Sequence, residues 1–517
     1  MTRAAAERDT PPGPLKRMSL AFVPGGLPLN TAATSMRTVI RALVGLLLLP
    51  LLVHRIGTAA TGLFVFATTL TGYFTAVEAG LSTSVTKYVA EYRATRATEQ
   101  LAAVLRGSLL LMVALGLLIA IVLAVFGLAF GESLFDEPAI VDQVIPTFLV
   151  AAATSLVYFP SRLGVAALEG LERFDRSALV GISCSLLLLA AMYWATSISD
   201  SVALLTAIFG GAIVLEGAIC GFFARRLLAL GSVRARWFGP ELKPVVAFGG
   251  AVFVLGFADT LVYSLDRTIV AGFVGASAIV AYEAALRPQS GVRAVSTLAS
   301  GALIPTMSRL FAQGRDEAAR ELILIASLIG ILITTPVAIV VIVLAEPFVV
   351  AWLGPGFSHY AVYIQIFTSV WIAHGTTAAL ASAVAGLGRL KVFVVITIVG
   401  AVITLGLSIA LTAAWGVVGV IWGTVIPAWL ALPIWLHFAL RHVGLDARRF
   451  VREVVIPGYA PIALWTAVFV AAAAALHPRG YLGVLAVGGL GLGVLWLAVA
   501  PFMRRRWRYA VSFAQAA

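Results

Sequence analysis

Arginines and carboxylates lie inside apolar runs of spanning length, and their spacing draws polar faces. Asn30, Thr34, Arg37 and Arg41 follow the i, i+4, i+7, i+11 pattern that stacks side chains along one side of a helix. Thr68, Thr71, Thr75 and Glu78 share a face in the next run. Further on Asp259, Tyr263 and Asp266 align, with Arg267 beside them. Glu283 and Arg287 stand four residues apart, Arg293 follows on the same run, and Arg162 and Glu216 complete the set. Hydrocarbon makes such charges costly, so their default reading is that they line a polar path. The planar fork of an arginine matches two phosphate oxygens at once. Arg37, Arg41, Arg267, Arg287 and Arg293, with Asn30 and Glu78, are therefore the candidates for holding an anionic substrate head. Asp259, Asp266 and Glu283 are the candidates for taking up a coupling proton or sodium ion.

Each charge also has a structural reading. Glu283 precedes Arg287 in the order that favours pairing within one helix. Arg162 lies near a helix end, where a long side chain snorkels to the interface. Glu216 has no base on its own face, and a pair with another helix is its structural alternative. Arg37 and Arg41 have no carboxylate on their own helix, and Arg41 is too central to snorkel cheaply, which favours a water-filled cavity.

The elements that must position these residues follow from composition. The 517-residue chain is 61% hydrophobic and 12% charged, with a mean hydropathy of +1.01, far from the range of a soluble protein. Punctuation divides it into about fourteen apolar segments of the roughly 20 residues that a bilayer core requires. Period-2 alternation is absent, so the segments read as helices, and the fold as an all-α polytopic membrane protein. The first apolar run has full length and follows a polar tail, which reads as a span rather than a cleavable signal. Cys184 and Cys220 fall within spans and read as packing, and the six histidines show no metal-ligand spacing.

Loop charge sets the expected orientation, because Lys and Arg in short loops stay on the cytoplasmic side. The N-terminal tail and the even-numbered loops hold most of the cations, including Lys87, Arg93, Arg106, Arg225, Arg226, Arg315 and Arg449. The odd-numbered loops carry Glu132, Asp136, Glu137, Asp142 and Asp200 with few cations. Both termini are expected in the cytoplasm. The formal charge of +12 is then mostly topology, and no interleaved basic and aromatic patch suggests nucleic acid.

The chain also reads as duplicated. Sliding it by 218 positions lays Gly57 on Gly275, Phe64 on Tyr282 and Arg41 on Asp259. The expected organisation is a cytoplasmic tail over 1–28, a six-helix lobe over 29–230 and a linker over 231–243. A second six-helix lobe over 244–440, two further helices within 441–503 and a basic tail over 504–517 complete it. Parallel repeats of this kind suit alternating access by two lobes around a central cavity.

Three stretches carry a family resemblance. They are Ile56-Gly57 through Gly62-Leu63-Phe64 to Lys87-Tyr88-Val89-Ala90, then Asp266-Arg267 with Gly275 through Tyr282 and Arg287, and Glu346-Pro347-Phe348 leading to Leu353-Gly354-Pro355-Gly356-Phe357. In them the chain resembles the polysaccharide-transport branch, the O-antigen (Wzx-type) flippases, of the multidrug/oligosaccharidyl-lipid/polysaccharide exporter superfamily. The resemblance implies movement of an undecaprenyl-diphosphate-linked oligosaccharide from the inner to the outer face of a bacterial cytoplasmic membrane, for surface polysaccharide synthesis. It implies no enzymatic step and no cofactor beyond a coupling ion, H+ or Na+. The implied partners are the lipid-linked oligosaccharide, membrane lipids and a polysaccharide polymerase, with the transporter as a monomer. Lipid II flippases share intramembrane arginines and stay open as an alternative. Drug/cation antiporters of the superfamily usually carry a functional acid in the first helix, and this chain has none there.

The orientation is directly testable. In a variant lacking Cys184 and Cys220, single cysteines at Ser133 and Ser199 are expected to react with an impermeant thiol reagent from outside the cell. Cysteines at Ser232 and Gln313 are expected to stay unlabelled, and labelling at Ser232 would refute the assignment.

Overall fold

Apolar sequence in hydrocarbon must satisfy its own backbone, and the chain does so with helices. The computed structural model describes residues 27–135, 137–228, 239, 242–300, 303–387 and 391–516. Eighteen α-helices run through these residues, and no strand occurs among them. In chain order they begin with α1 (Leu27–Tyr73), α2 (Thr75–Ala94), α3 (Thr98–Ala129), α4 (Gly131–Leu134), α5 (Val141–Gly170), α6 (Phe174–Ile198) and α7 (Val202–Leu228). Next come α8 (Leu242–Val274), α9 (Ala276–Ser300), α10 (Leu303–Ala312), α11 (Asp316–Val343), α12 (Ala345–Leu353) and α13 (Tyr360–Gly386). The last are α14 (Lys391–Trp415), α15 (Val417–Val443), α16 (Ala447–Phe450), α17 (Ile456–Leu476) and α18 (Gly480–Ala516). Ten spans among the described residues are long and apolar enough to cross a membrane.

Gly57 divides α1 into two parts, with φ 81 and ψ 173, a region of the backbone map that is almost closed to residues with a Cβ. Gly275 separates α8 from α9 with φ 109. These are the two glycines that the 218-residue shift superimposes. Both positions break a helix, and both use the residue that tolerates the break.

The described residues form two compact units. The first draws on Met1–Leu48, Leu70–Gly131 and Gln143–Phe257. Its helices approach closely where side chains vanish. A Cβ on Gly164 of α5 would lie 2.2 Å from the Gly217 carbonyl oxygen of α7, and one on Gly80 of α2 would lie 2.3 Å from the Gly249 carbonyl oxygen of α8. Small residues at such crossings replace the hydrophobic driving force that lipid removes.

The second unit draws on Leu49–Thr69, Glu132–Asp142 and Ala258–Ala517. The N-terminus of α9 is capped there by Glu137, whose carboxylate accepts from the Ser277 amide at 3.1 Å and the Ser277 hydroxyl at 2.9 Å, an arrangement that the helix dipole favours. The C-terminal pair α17 and α18 is tied to α11 and α13 by polar side chains. Trp496 donates to the Leu332 carbonyl at 3.0 Å and Tyr459 to the Ile372 carbonyl at 2.8 Å. Arg449 bridges Glu317, Glu321 and Glu453 at the base of the same pair, beside a π-helical turn over Val451–Val455. The outer faces of α17 and α18 are apolar and open, with Leu482 84% exposed, as a lipid-facing surface requires.

Gly57→Ala is expected to destabilise the detergent-solubilised protein by about 1–3 kcal/mol through backbone strain alone, since no atom lies within 4 Å of its added Cβ. Gly211→Ala, inside α7 with equally open space, is expected to be neutral or to stabilise by about 0.4–1 kcal/mol. Equal melting temperatures for the two variants would contradict the assigned backbone geometry.

Candidate functional site

The polar stripe of α1 meets its partners on other helices of the first unit. Arg37 donates to Glu169 of α5 at 2.9 Å and to the Ser177 hydroxyl of α6 at 2.8 Å. One turn further, Arg41 donates to Glu216 of α7 at 2.6 Å. Arg162 of α5 approaches Glu78 of α2 at 3.6 Å and Glu216 at 3.8 Å, and Ser82 donates to Glu78 from the next turn of α2. Two arginines and two glutamates thus interlock, and their formal charges cancel.

A cavity of about 300 Å³ opens beside this network, lined by Arg41, Glu78, Tyr158, Arg162 and Glu216 with an apolar wall that includes Leu48, Leu188 and Phe209. The members of its central pair differ in access. The Arg41 side chain is 41% exposed, whereas Glu216 is 3% exposed. Arg41 therefore offers donors to the cavity while its acid partner stays covered. Arg37, by contrast, is held in its own pair and does not line the cavity. Gly181 of α6 makes room for both pairs, because a Cβ there would lie 2.8 Å from Arg37 Cδ and 2.9 Å from Glu216 Oε1.

The second unit carries a separate set. Glu283 of α9 is clamped between Arg267 of α8 at 2.6 Å and Arg287 of its own helix at 3.0 Å. The intrahelical pair expected from spacing does form, and a second arginine joins it. Asp266, 2% exposed, accepts from the Tyr282 hydroxyl at 3.0 Å and the Thr424 hydroxyl at 2.9 Å. Its immediate hydrogen-bond donors are therefore neutral hydroxyls, although Arg267 follows it in the chain. Arg293 lies half-buried on α9. The side chains of Asn30 and Asp259, two expected site residues, lie outside the described residues. No group of three or more His, Cys, Asp or Glu able to hold a metal occurs among those that are described.

The position of Arg162 near a helix end predicts a side chain that snorkels to the interface. It instead reaches two carboxylates, with 18% of its side chain exposed. The turn of α5 that brings Tyr158 and Arg162 to the cavity carries no signal of its own in the sequence, since both partners come from other helices. Glu216 takes the interhelical pair that its isolation on α7 allowed.

Comparison with known proteins fits this architecture. A family model described as "Polysaccharide biosynthesis protein" matches residues 29–311, just over half of the chain. No curated protein matches significantly. Among solved structures the chain is similar to "Lipid II flippase MurJ, inward closed conformation", with TM-score 0.67 and 13% identity over 91% of this chain and 99% of that one. It is also similar to an inward-facing multidrug resistance MATE family transporter of the MOP superfamily, with TM-score 0.61 and 18% identity over 83% of this chain and 98% of that one. A MOP superfamily transporter from Pyrococcus furiosus follows at TM-score 0.52 and 16% identity, over 80% of this chain and 93% of that one. At these identities the structures speak for the fold, and the family match speaks for descent. The chain belongs to the polysaccharide biosynthesis protein family.

Proposed function

We propose that the chain is a flippase that carries undecaprenyl-diphosphate-linked oligosaccharide units from the inner to the outer leaflet of the bacterial cytoplasmic membrane, by alternating access, for surface polysaccharide synthesis. The observation that carries this reading is Arg41, paired with a covered carboxylate yet open to a cavity inside a spanning unit. A diphosphate entering the cavity can take the free donors of the guanidinium, or displace Glu216 from it. Glu216 then keeps Arg162 as a neighbour, so the exchange leaves no isolated charge. The apolar wall beside the arginine suits an amphiphile better than a hydrated cation.

Asp266 is the matching proposal for ion coupling. A buried carboxylate held by hydroxyl groups presents oxygen ligands of the kind that a sodium ion or a proton uses. Glu283 is held by two arginines, and it is the less available of the two acids. A second reading keeps the same machinery for a peptidoglycan precursor, favoured by the likeness to the lipid II flippase structure. Both substrates carry a polyprenyl diphosphate, and the cavity recognises that shared part.

Arg41→Ala alone would leave buried Glu216 with only the more distant Arg162 and so would mix a folding effect with a functional one. The double change Arg41→Gln with Glu216→Gln removes the pair neutrally. It is expected to yield folded, inserted protein that fails to restore surface polysaccharide in a deletion strain. Arg41→Lys keeps the charge but loses the fork, and is expected to lower transport about tenfold or more. Restoration at the wild-type level by the double variant would show that the pair is only structural. Asp266→Asn is expected to leave substrate binding in place and remove the dependence of transport on pH or sodium. A fall in folded protein with unchanged ion dependence would argue against a coupling role.

A further inference from the structure

A second opening in the first unit shares no lining residue with the Arg41 cavity. It is a groove of about 790 Å³ among α3, α5 and α7, three helices that each have spanning length and hydropathy. Its floor is the close crossing of α5 and α7. A Cβ on Gly164 would sit 2.2 Å from the Gly217 carbonyl oxygen and 2.6 Å from the Gly221 amide nitrogen, so the two backbones touch and leave a trough. Leu105, Leu163 and Phe222 give it an apolar side.

One end of the trough is basic. Arg106 lines it from α3, and Arg225 and Arg226 line it from the last turn of α7. The Arg226 guanidinium lies over the Phe222 ring at 4.3 Å, which holds it at the rim of the groove. None of the described residues lining the groove is acidic. This differs from the Arg41 cavity, where acids and bases cancel. From Gly217 to Leu228 the α7 side of the groove runs about 16 Å along the helix axis, enough for a head group and the upper part of an acyl chain.

Topological arginines are common at helix ends and need no groove. Here the three cations close one end of an apolar trough on the surface of membrane-spanning helices. The helices that form the trough have spanning length and hydropathy, so an acyl chain is the complement of its apolar part and an anion of its basic part. We propose that this groove is a binding site for an anionic phospholipid of the phosphatidylglycerol type. Its phosphodiester sits among Arg106, Arg225 and Arg226, and one acyl chain lies along the Gly164–Gly217 crossing. The lipid bridges α3, α5 and α7 and so braces the helices that also carry Arg162 and Glu216. Loop charge predicts that the basic end faces the cytoplasm.

The test is native mass spectrometry of the purified full chain titrated with phosphatidylglycerol and with chain-matched phosphatidylcholine. Phosphatidylglycerol is expected to bind about tenfold or more tightly. The triple variant Arg106→Gln, Arg225→Gln, Arg226→Gln is expected to lose that preference. The variant Arg504→Gln, Arg505→Gln, Arg506→Gln removes equal charge elsewhere and is expected to keep it. Leu163→Trp fills the trough without touching an arginine and is expected to weaken retention of phosphatidylglycerol, which keeps the test informative if the triple variant misfolds. Equal binding of the two lipids, equal loss in both triple variants, or unchanged binding in Leu163→Trp would each overturn the proposal. So would displacement of phosphatidylglycerol by equimolar undecaprenyl phosphate, which would assign the groove to the substrate instead.

Discussion

A charge inside a membrane must find a partner, and the arrangement of this protein follows from that requirement. Removing an ion from water costs several kcal/mol even after relaxation, and the cost is met only by close, well-oriented opposite charge. In the first unit Arg37, Arg41 and Arg162 meet Glu169, Glu216 and Glu78 across four helices. In the second unit Glu283 meets Arg267 and Arg287. These pairs constrain where the helices stand, and small residues make the distances reachable. Gly181 is the clearest instance, since any side chain there would push into both Arg37 and Glu216.

Pairing beside a cavity has a second consequence. A fully covered ion pair is inert, whereas a pair with one open member can trade partners. Arg41 is open and Glu216 is covered, so the arginine is the member a ligand can reach. Arg162 stands behind Glu216 as a reserve partner, and Tyr158 adds a hydroxyl to the same wall. The formal charges at the site therefore cancel, and only the arginine of the central pair is open to the cavity. Asp266 answers a different need, with a buried carboxylate that accepts from the Tyr282 and Thr424 hydroxyls. The two units thus hold two kinds of polar site, one built from interlocked charges and one from a single acid.

Much of this was legible in the chain itself. Apolar length predicts the helices, and the two glycines that the 218-residue shift superimposes, Gly57 and Gly275, both have positive φ angles. The i, i+4, i+7, i+11 stripe predicts that Arg37 and Arg41 share a face, and both do turn toward neighbouring helices. Partner identity was not legible, because periodicity reports neighbours on one helix only. Glu169 lies 132 residues from Arg37 and Glu216 lies 175 from Arg41. Arg162 was misread for the same reason: its own helix end offered an interface, while the acids that hold it come from α2 and α7. The Glu283–Arg287 pair was readable because both members lie on one helix, but Arg267 joined it from another.

The central claim is that an arginine-bearing cavity moves a lipid carrying an anionic head. Reconstitution into proteoliposomes addresses it most directly, with outward movement of an undecaprenyl-diphosphate oligosaccharide and efflux of a cationic dye followed in the same vesicles. The account predicts glycolipid movement that rises with an imposed proton or sodium gradient, with no efflux of the dye above protein-free vesicles. Gradient-driven dye efflux without glycolipid movement would contradict it.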